Sequence, residues 1–271
     1  MQGRSVRMSF HVSEEEGRAF IVASANCPAD ASKSASTSYT QITEVLSERG
    51  LEVVHERIFG SLSVAHDVMS ARRQAFTSFG ISPENPVTYI EGNPPWGEGL
   101  AGVIIHAVKA DEVWTIMDRG VPCGRGWRLN GITHLVLQNI TGDHNPPPSP
   151  LNLRGDKRGD ERSIQTRQMF ERSERILQEN GALYKDVVRT WFYLSDILGW
   201  YAGFNKVRNE KYGEFAIMPG PRDRELLLPA STGIQGETPS GAACAMDLIA
   251  VLDSQNCTRK LSSPSQLDAF R

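Results

Sequence analysis

The chain repeats part of itself, and a duplicated segment calls for two similar units, each burying its own core. Thr88, Ile90, Gly92 and Gly97 recur as Thr232, Ile234, Gly236 and Gly241 at a constant offset of 144. One deletion later, Ala107-Val108 recurs as Ala250-Val251 at an offset of 143. Upstream, VLSERGLEVVHERIF (Val45–Phe59) resembles ILQENGALYKDVVRTWFY (Ile176–Tyr193). Each reads as a helix end, a glycine stop and a β-rich run. Gly50 and Gly181 suit the left-handed residue that closes a helix. A second helical segment follows in each copy, at Leu62–Phe79 and Ile197–Phe215.

The element order predicted for the two copies is the same. In the first, MSFHV and RAFIVASA read as strands, followed by a helix at Ser36–Arg49 and a strand at Leu51–Phe59. The second helical segment and strands near Val87–Glu91 and Leu100–Lys109 complete it. In the second, EVWTIM and THLVLQNI read as strands, with CGRGWRLNG connecting them. A helix at Glu161–Asn180 carries Ile164, Met169, Ile176 and Leu177 on one stripe, and a strand at Asp186–Leu194, a helix and two strands close the unit. The expected fold class is α+β: two tandem units, each a mixed sheet with two helices packed on one face. The expected domains are 1–110 and 111–271. Residues 141–161, TGDHNPPPSPLNLRGDKRGDE, read as a Pro/Gly-rich loop inside the second unit, and the RGD at Arg154–Asp156 as a coincidence.

Composition narrows the partners. With 271 residues, 39% of them hydrophobic, the chain has enough apolar material for a sizeable core. A formal net charge of −3 without a basic or acidic block points to neither nucleic acid nor a membrane surface. The opening MQGRSVRMSFHVSEEEG lacks the apolar core of a secretory signal, and no apolar run is long enough to span a bilayer. Cys27, Cys123, Cys244 and Cys257 are scattered without a CxxC pair, which argues against a zinc site or a disulfide framework. A cytoplasmic protein with reduced thiols is expected.

The common catalytic signatures are missing: no GxGxxG, phosphate loop, HExxH or GxSxG occurs. No two of His11, His55, His66, His106, His134 and His144 have helical metal-ligand spacing. His106 lies in a predicted strand and reads as a hydrogen-bonded core histidine. No metal and no organic cofactor are expected.

Polar groups gather in the second copy. Strand alternation puts Arg189, Trp191 and Tyr193 on one face and Val188, Thr190 and Phe192 on the other. The first set fits either a small-carboxylate site, since arginine presents a two-pronged donor, or an ordinary exposed sheet face. Tyr201, Asn205 and Arg208 share one side of a helix, either lining a cleft or half-solvated. Ser231, Thr232 and Gly233 form a polar turn that offers backbone N–H groups to a ligand, or else a bulge around Gly233. Asp247 interrupts an apolar strand where the first copy has Ile104, so the fold itself does not call for a carboxylate. Buried and unpartnered, it would have a raised pKa and serve as a general acid or hold an arginine. Otherwise it is an edge-strand acid facing water.

Several of these segments resemble a known family. The repeated unit resembles the Rid (YjgF) fold, whose members form trimers with small-molecule clefts between subunits. More specifically, CGRGWRLNG…LVLQNI, DVVRTWFYLSDILGWYAGFNKVRN, LLPASTGIQG and GAACAMDLIAV resemble segments of the chorismatases, which are built from Rid-like domains. The resemblance implies an enzyme releasing pyruvate from chorismate, or from a similar cyclic enol ether carboxylate, without a cofactor. It implies carboxylate binding by Arg189, Tyr193, Tyr201, Arg208 and the Ser231-Thr232-Gly233 turn, and a raised-pKa acid, for which Asp247 is the candidate. The partners it implies are a small carboxylate substrate and further copies of the chain in a trimer-like homo-oligomer.

Two departures accompany the resemblance. The chain ends at SSPSQLDAFR, where a chorismatase is expected to continue into a further Rid-like domain carrying a catalytic glutamate. The arginine of imine-deaminating Rid proteins is also missing, its place falling in Leu228-Pro229-Ala230. The alternatives are a Rid-type carboxylate binder or enamine/imine deaminase, and a non-catalytic oligomeric relative.

Overall fold

A computed structural model describes residues 8–25, 30–142, 157–218 and 228–252, together with 256 and 258. Residues 143–156 of the expected loop, with the RGD triplet and His144, lie outside the described residues, as do Cys27 and Cys257.

The first unit runs β1 (Met8–Glu15), β2 (Arg18–Ala25), α1 (Ala31–Arg49), β3 (Glu52–Gly60), α2 (Ala65–Ser78), β4 (Thr88–Glu91) and β5 (Leu100–Val108). Its sheet has the order β1-β2-β5-β3-β4, antiparallel except for the β3–β4 pair. Asp30 caps α1 by accepting a 2.9 Å hydrogen bond from the Lys33 amide. Gly50 closes the helix at φ 62° and Gly181 takes φ 76° in the second unit, the left-handed residues that the two GL/GA junctions call for.

The second unit runs β6 (Glu112–Asp118), β7 (Val121–Leu129), β8 (Ile132–Thr141), α3 (Lys157–Glu179), β9 (Val187–Leu194), α4 (Ile197–Glu214), β10 (Ala230–Gln235) and β11 (Cys244–Val251). Its sheet order is β10-β9-β11-β8-β7-β6. Once β6 is set aside, strands and crossovers correspond one to one with those of the first sheet. This is the α+β arrangement of two tandem units. The expectation for CGRGWRLNG is corrected: the segment is not a connection but supplies most of β7. Its glycines are steric: a β-carbon on Gly126 would overlap the Trp114 indole, and one on Gly124 the Val136 carbonyl.

Each sheet turns one face to its own helices. Ile21, Ile42, Leu46, Val68 and Phe76 are among the buried residues of the first core, and Phe170, Ile176, Phe192, Phe204 and Met246 of the second. The other two faces meet each other. Val54, Val108, Trp127 and Val136 form one apolar cluster between the sheets, and Ile90, Tyr193 and Ala245 a second. The Gln138 side chain of β8 reaches across to the first unit. Its amide nitrogen donates to the Glu56 and Pro86 carbonyls, and its oxygen accepts from the Glu56 amide.

Candidate functional site

Alternation along β3 sends Glu56 to the helix side and His55 and Arg57 to the side facing the second unit. Glu56 is fully buried, where it binds Arg72 and the Tyr39 hydroxyl. On β9 the same alternation brings Arg189, Trp191 and Tyr193 to the inter-sheet side, while Phe192 joins the helix-side core. The expected opposite placement of Val188 is corrected: a register shift at Ile249/Ala250 disturbs the alternation there, and Val188 lines the inter-sheet cleft.

Asp247 lies where the two faces meet. Its strand, β11, is flanked by β8 and β9, and its side chain is fully buried. An edge acid facing water is thereby overturned. So is the premise of an unpartnered acid, and the residue beside it is a histidine rather than an arginine. Oδ1 accepts from the Thr88 hydroxyl at 2.6 Å and from the Asn139 amide at 2.9 Å. Oδ2 accepts from the Tyr193 hydroxyl at 3.2 Å and lies 2.9 Å from His55 Nε2. Asn139 aims its amide at the carboxylate from a positive φ of 50°, beside a register shift in the β8–β11 pair. Burial, then the neighbouring Asp247 carboxylate, pushes the Tyr193 phenol well above its ordinary pKa, so it stays protonated as a donor.

Beside this carboxylate a cleft of about 460 Å³ opens between the sheets, within the usual range for small-molecule sites. Two cross-strand rows frame it. In the first sheet Phe20, His106 and His55 are neighbours across β2, β5 and β3. In the second, Trp127, His134 and Val251 are neighbours across β7, β8 and β11. The His106 ring lies on Phe20 at 4.5 Å and edge-on to Trp127 at 5.7 Å. Its Nε2 is buried without a hydrogen bond among the described residues, which corrects the hydrogen-bonded core histidine expected from the sequence. Burial first, then the neighbouring His55, Arg18 and His134, hold its pKa down to about 3. His134 is lowered by burial and by Arg18; its Nδ1 donates to the Ile132 carbonyl at 3.1 Å and its Nε2 faces Arg18 at 3.5 Å. Among the described residues, no group of three or more His, Cys, Asp or Glu has a geometry that would hold a metal ion.

Next to the histidines, two guanidiniums flank one indole. Arg57 lies 4.7 Å from the Trp191 ring centre and Arg189 lies 5.0 Å from it. Arg189 donates to the Thr232 hydroxyl at 2.6 Å. Neither arginine forms an ion pair with a carboxylate among the described residues. Burial first, then the adjacent Arg57, lower the Arg189 pKa.

Arg189, Tyr193, Thr232 and Asp247 therefore share one region. Tyr201 and Arg208 do not join them, because α4 packs on the opposite face of the sheet. Tyr201 stacks on Phe204, a residue of the helix-side core, and a β-carbon on Gly233 would point towards Ile197 and Tyr201. Ser231 and Gly233 are exposed on β10, whose register with β9 is continuous, so the alternative of a bulge at Gly233 is not met. His55, Arg57, His106 and His134 were not singled out by sequence reasoning as site residues. The duplication carried a signal for the first two. Aligned on VVRTWF, VVHERIF puts His55 and Arg57 opposite Arg189 and Trp191, on the same alternating face.

No family model matches this sequence. No curated protein sequence matches it either. Among solved structures, a chorismatase superposes with a TM-score of 0.64 at 13% identity, over 91% of this chain and 80% of its own. The chain has the fold of that chorismatase. Yeast Mmf1 matches 52% of this chain and 98% of its own at 16% identity, TM-score 0.36. A YjgF-family protein from Neisseria meningitidis matches 52% of this chain and 94% of its own at 16% identity, TM-score 0.36. Among the described residues, no helix is long and apolar enough to cross a membrane.

Proposed function

We propose that this chain is a cofactor-independent enzyme of the chorismatase type, releasing pyruvate from chorismate or a similar cyclic enol ether carboxylate in the cleft between its sheets. The observation that carries this reading is the Arg57–Trp191–Arg189 stack. Two like charges, one from each unit, are held side by side on one indole, and among the described residues neither has an acidic partner. A bound carboxylate relieves their repulsion and takes charge-assisted hydrogen bonds from a two-pronged donor. A substrate with two carboxylates suits two such arginines, and the indole offers a flat apolar surface to its ring. The shared fold supports the same reading. In it Arg57 and Arg189 hold the substrate, Thr232 and Tyr193 position them, and the buried Asp247 belongs to the proton-handling side of the site.

The test is to incubate purified protein with chorismate and to follow pyruvate with a coupled dehydrogenase. Release above the uncatalysed rate is expected. No release overturns the reading, and ammonia release from 2-aminoacrylate in its place would assign the cleft to imine or enamine deamination.

A further inference from the structure

We infer that His55 is the residue that moves the proton in this cleft, and that Asp247 is its buried positioning residue. The inference rests on reading the cleft as the site of a chorismatase-type reaction.

A carboxylate has about four acceptor positions. Here the Thr88 hydroxyl, the Asn139 amide, the Tyr193 hydroxyl and His55 Nε2 occupy them, two on each oxygen. No position remains for a substrate, and the Asp247 side chain has no exposed surface. A proton placed on either oxygen would face one of these donors. His55 has what Asp247 lacks. It lines the cleft, and its Nδ1 makes no hydrogen bond among the described residues. The requirement that a donor meet the carboxylate assigns the Nε2 proton to Asp247, which leaves Nδ1 for the reacting molecule. A base oriented through its second nitrogen by a buried acid is a general solution for proton transfer. Arg57 lies two residues along the same strand and holds a substrate carboxylate within reach of that ring.

The step balances without an oxidant or a reductant. The imidazolium gives its Nδ1 proton to the methylene carbon of the enol ether. The carbon–carbon π pair forms the new C–H bond and leaves an oxocarbenium at the ether carbon. Water adds there and returns a proton to Nδ1. The hemiketal then breaks its bond to the ring oxygen, its hydroxyl proton passing to that oxygen, and pyruvate and a ring alcohol leave.

The experiment is pyruvate release from chorismate by wild type, His55→Ala and His55→Gln, with and without added imidazole. His55→Ala should lose about a hundredfold or more in kcat, in the usual range for a general acid, with KM for chorismate within about threefold. Imidazole should restore part of the loss. His55→Gln keeps a donor for Asp247, so it should melt like wild type while remaining inactive. Asp247→Asn should lower kcat about tenfold or more with little change in KM. A His55→Ala protein with near wild-type kcat overturns the inference and leaves the reading of the cleft intact. A folded His55→Ala protein that imidazole does not restore overturns it too. A wild type that releases no pyruvate overturns the reading of the cleft itself, a different result from either.

Discussion

Thr88 and Asp247 are joined by a 2.6 Å hydrogen bond from an edge strand of one unit to a central strand of the other. Both groups are fully buried, and the acceptor is a carboxylate oxygen. Thr88→Val keeps the shape and removes the donor, leaving Oδ1 with the Asn139 amide alone. A hydrogen bond to a charged group contributes about 1.5–3 kcal/mol, and the variant should lose that much stability in urea unfolding. A loss below about 0.5 kcal/mol, the size of an ordinary surface substitution, would show that the contact does not hold the units together.

Arg57 and Arg189 share Trp191, and among the described residues neither has an acidic partner, so removing either should relieve repulsion rather than break an ion pair. Arg57→Ala and Arg189→Ala should each weaken benzoate binding by about tenfold to a hundredfold, followed through tryptophan fluorescence. Their melting temperatures should stay close to that of wild type. Unchanged benzoate affinity in both variants would remove the arginines from the site.

Two of the cleft histidines, His106 and His134, link stability to pH. His106 is held down to about 3 by burial and by its cationic and imidazole neighbours, from an ordinary 6.5, and His134 is lowered as well. As the pH falls through the ordinary histidine value, the unfolded chain takes up protons that the folded chain refuses. Stability from these two groups is therefore complete above that value and is lost on acidification, by up to about 1.4 kcal/mol per pH unit for each group. Thermal melts should show a falling Tm between about pH 7 and pH 5, with a shallower fall in His106→Phe. Equal slopes for the two proteins would contradict this.

Much of the fold was legible because each unit's topology is written in local signals. The glycine stops at Gly50 and Gly181, the 3.6-residue stripes and the offset matches all act over short stretches of chain. The strand β7 escaped because Gly124 and Gly126 dilute its β pattern, and the reason for them, the Val136 carbonyl and the Trp114 indole, belongs to neighbouring strands. The site was harder to read. Asp247 was visible as a carboxylate the fold did not need, and Arg189 and Tyr193 as residues of one strand face. Their setting was not visible, because the groups bound to Asp247 lie 54 to 192 residues away along the chain. Spacing within one helix or strand carries no information about a partner on another sheet. For the same reason Tyr201 and Arg208, close in sequence to Arg189, were grouped with it although α4 lies on the other side of the sheet.

On the proposed function, ligand enters between the two sheets rather than beside α4. A crystal structure grown with saturating benzoate tests it most directly. The ring is expected against Trp191, its carboxylate within hydrogen-bonding distance of the Arg57 or Arg189 guanidinium, and His55 beside it. Benzoate bound at the α4 face against Tyr201 and Arg208, with the inter-sheet cleft empty, would contradict it.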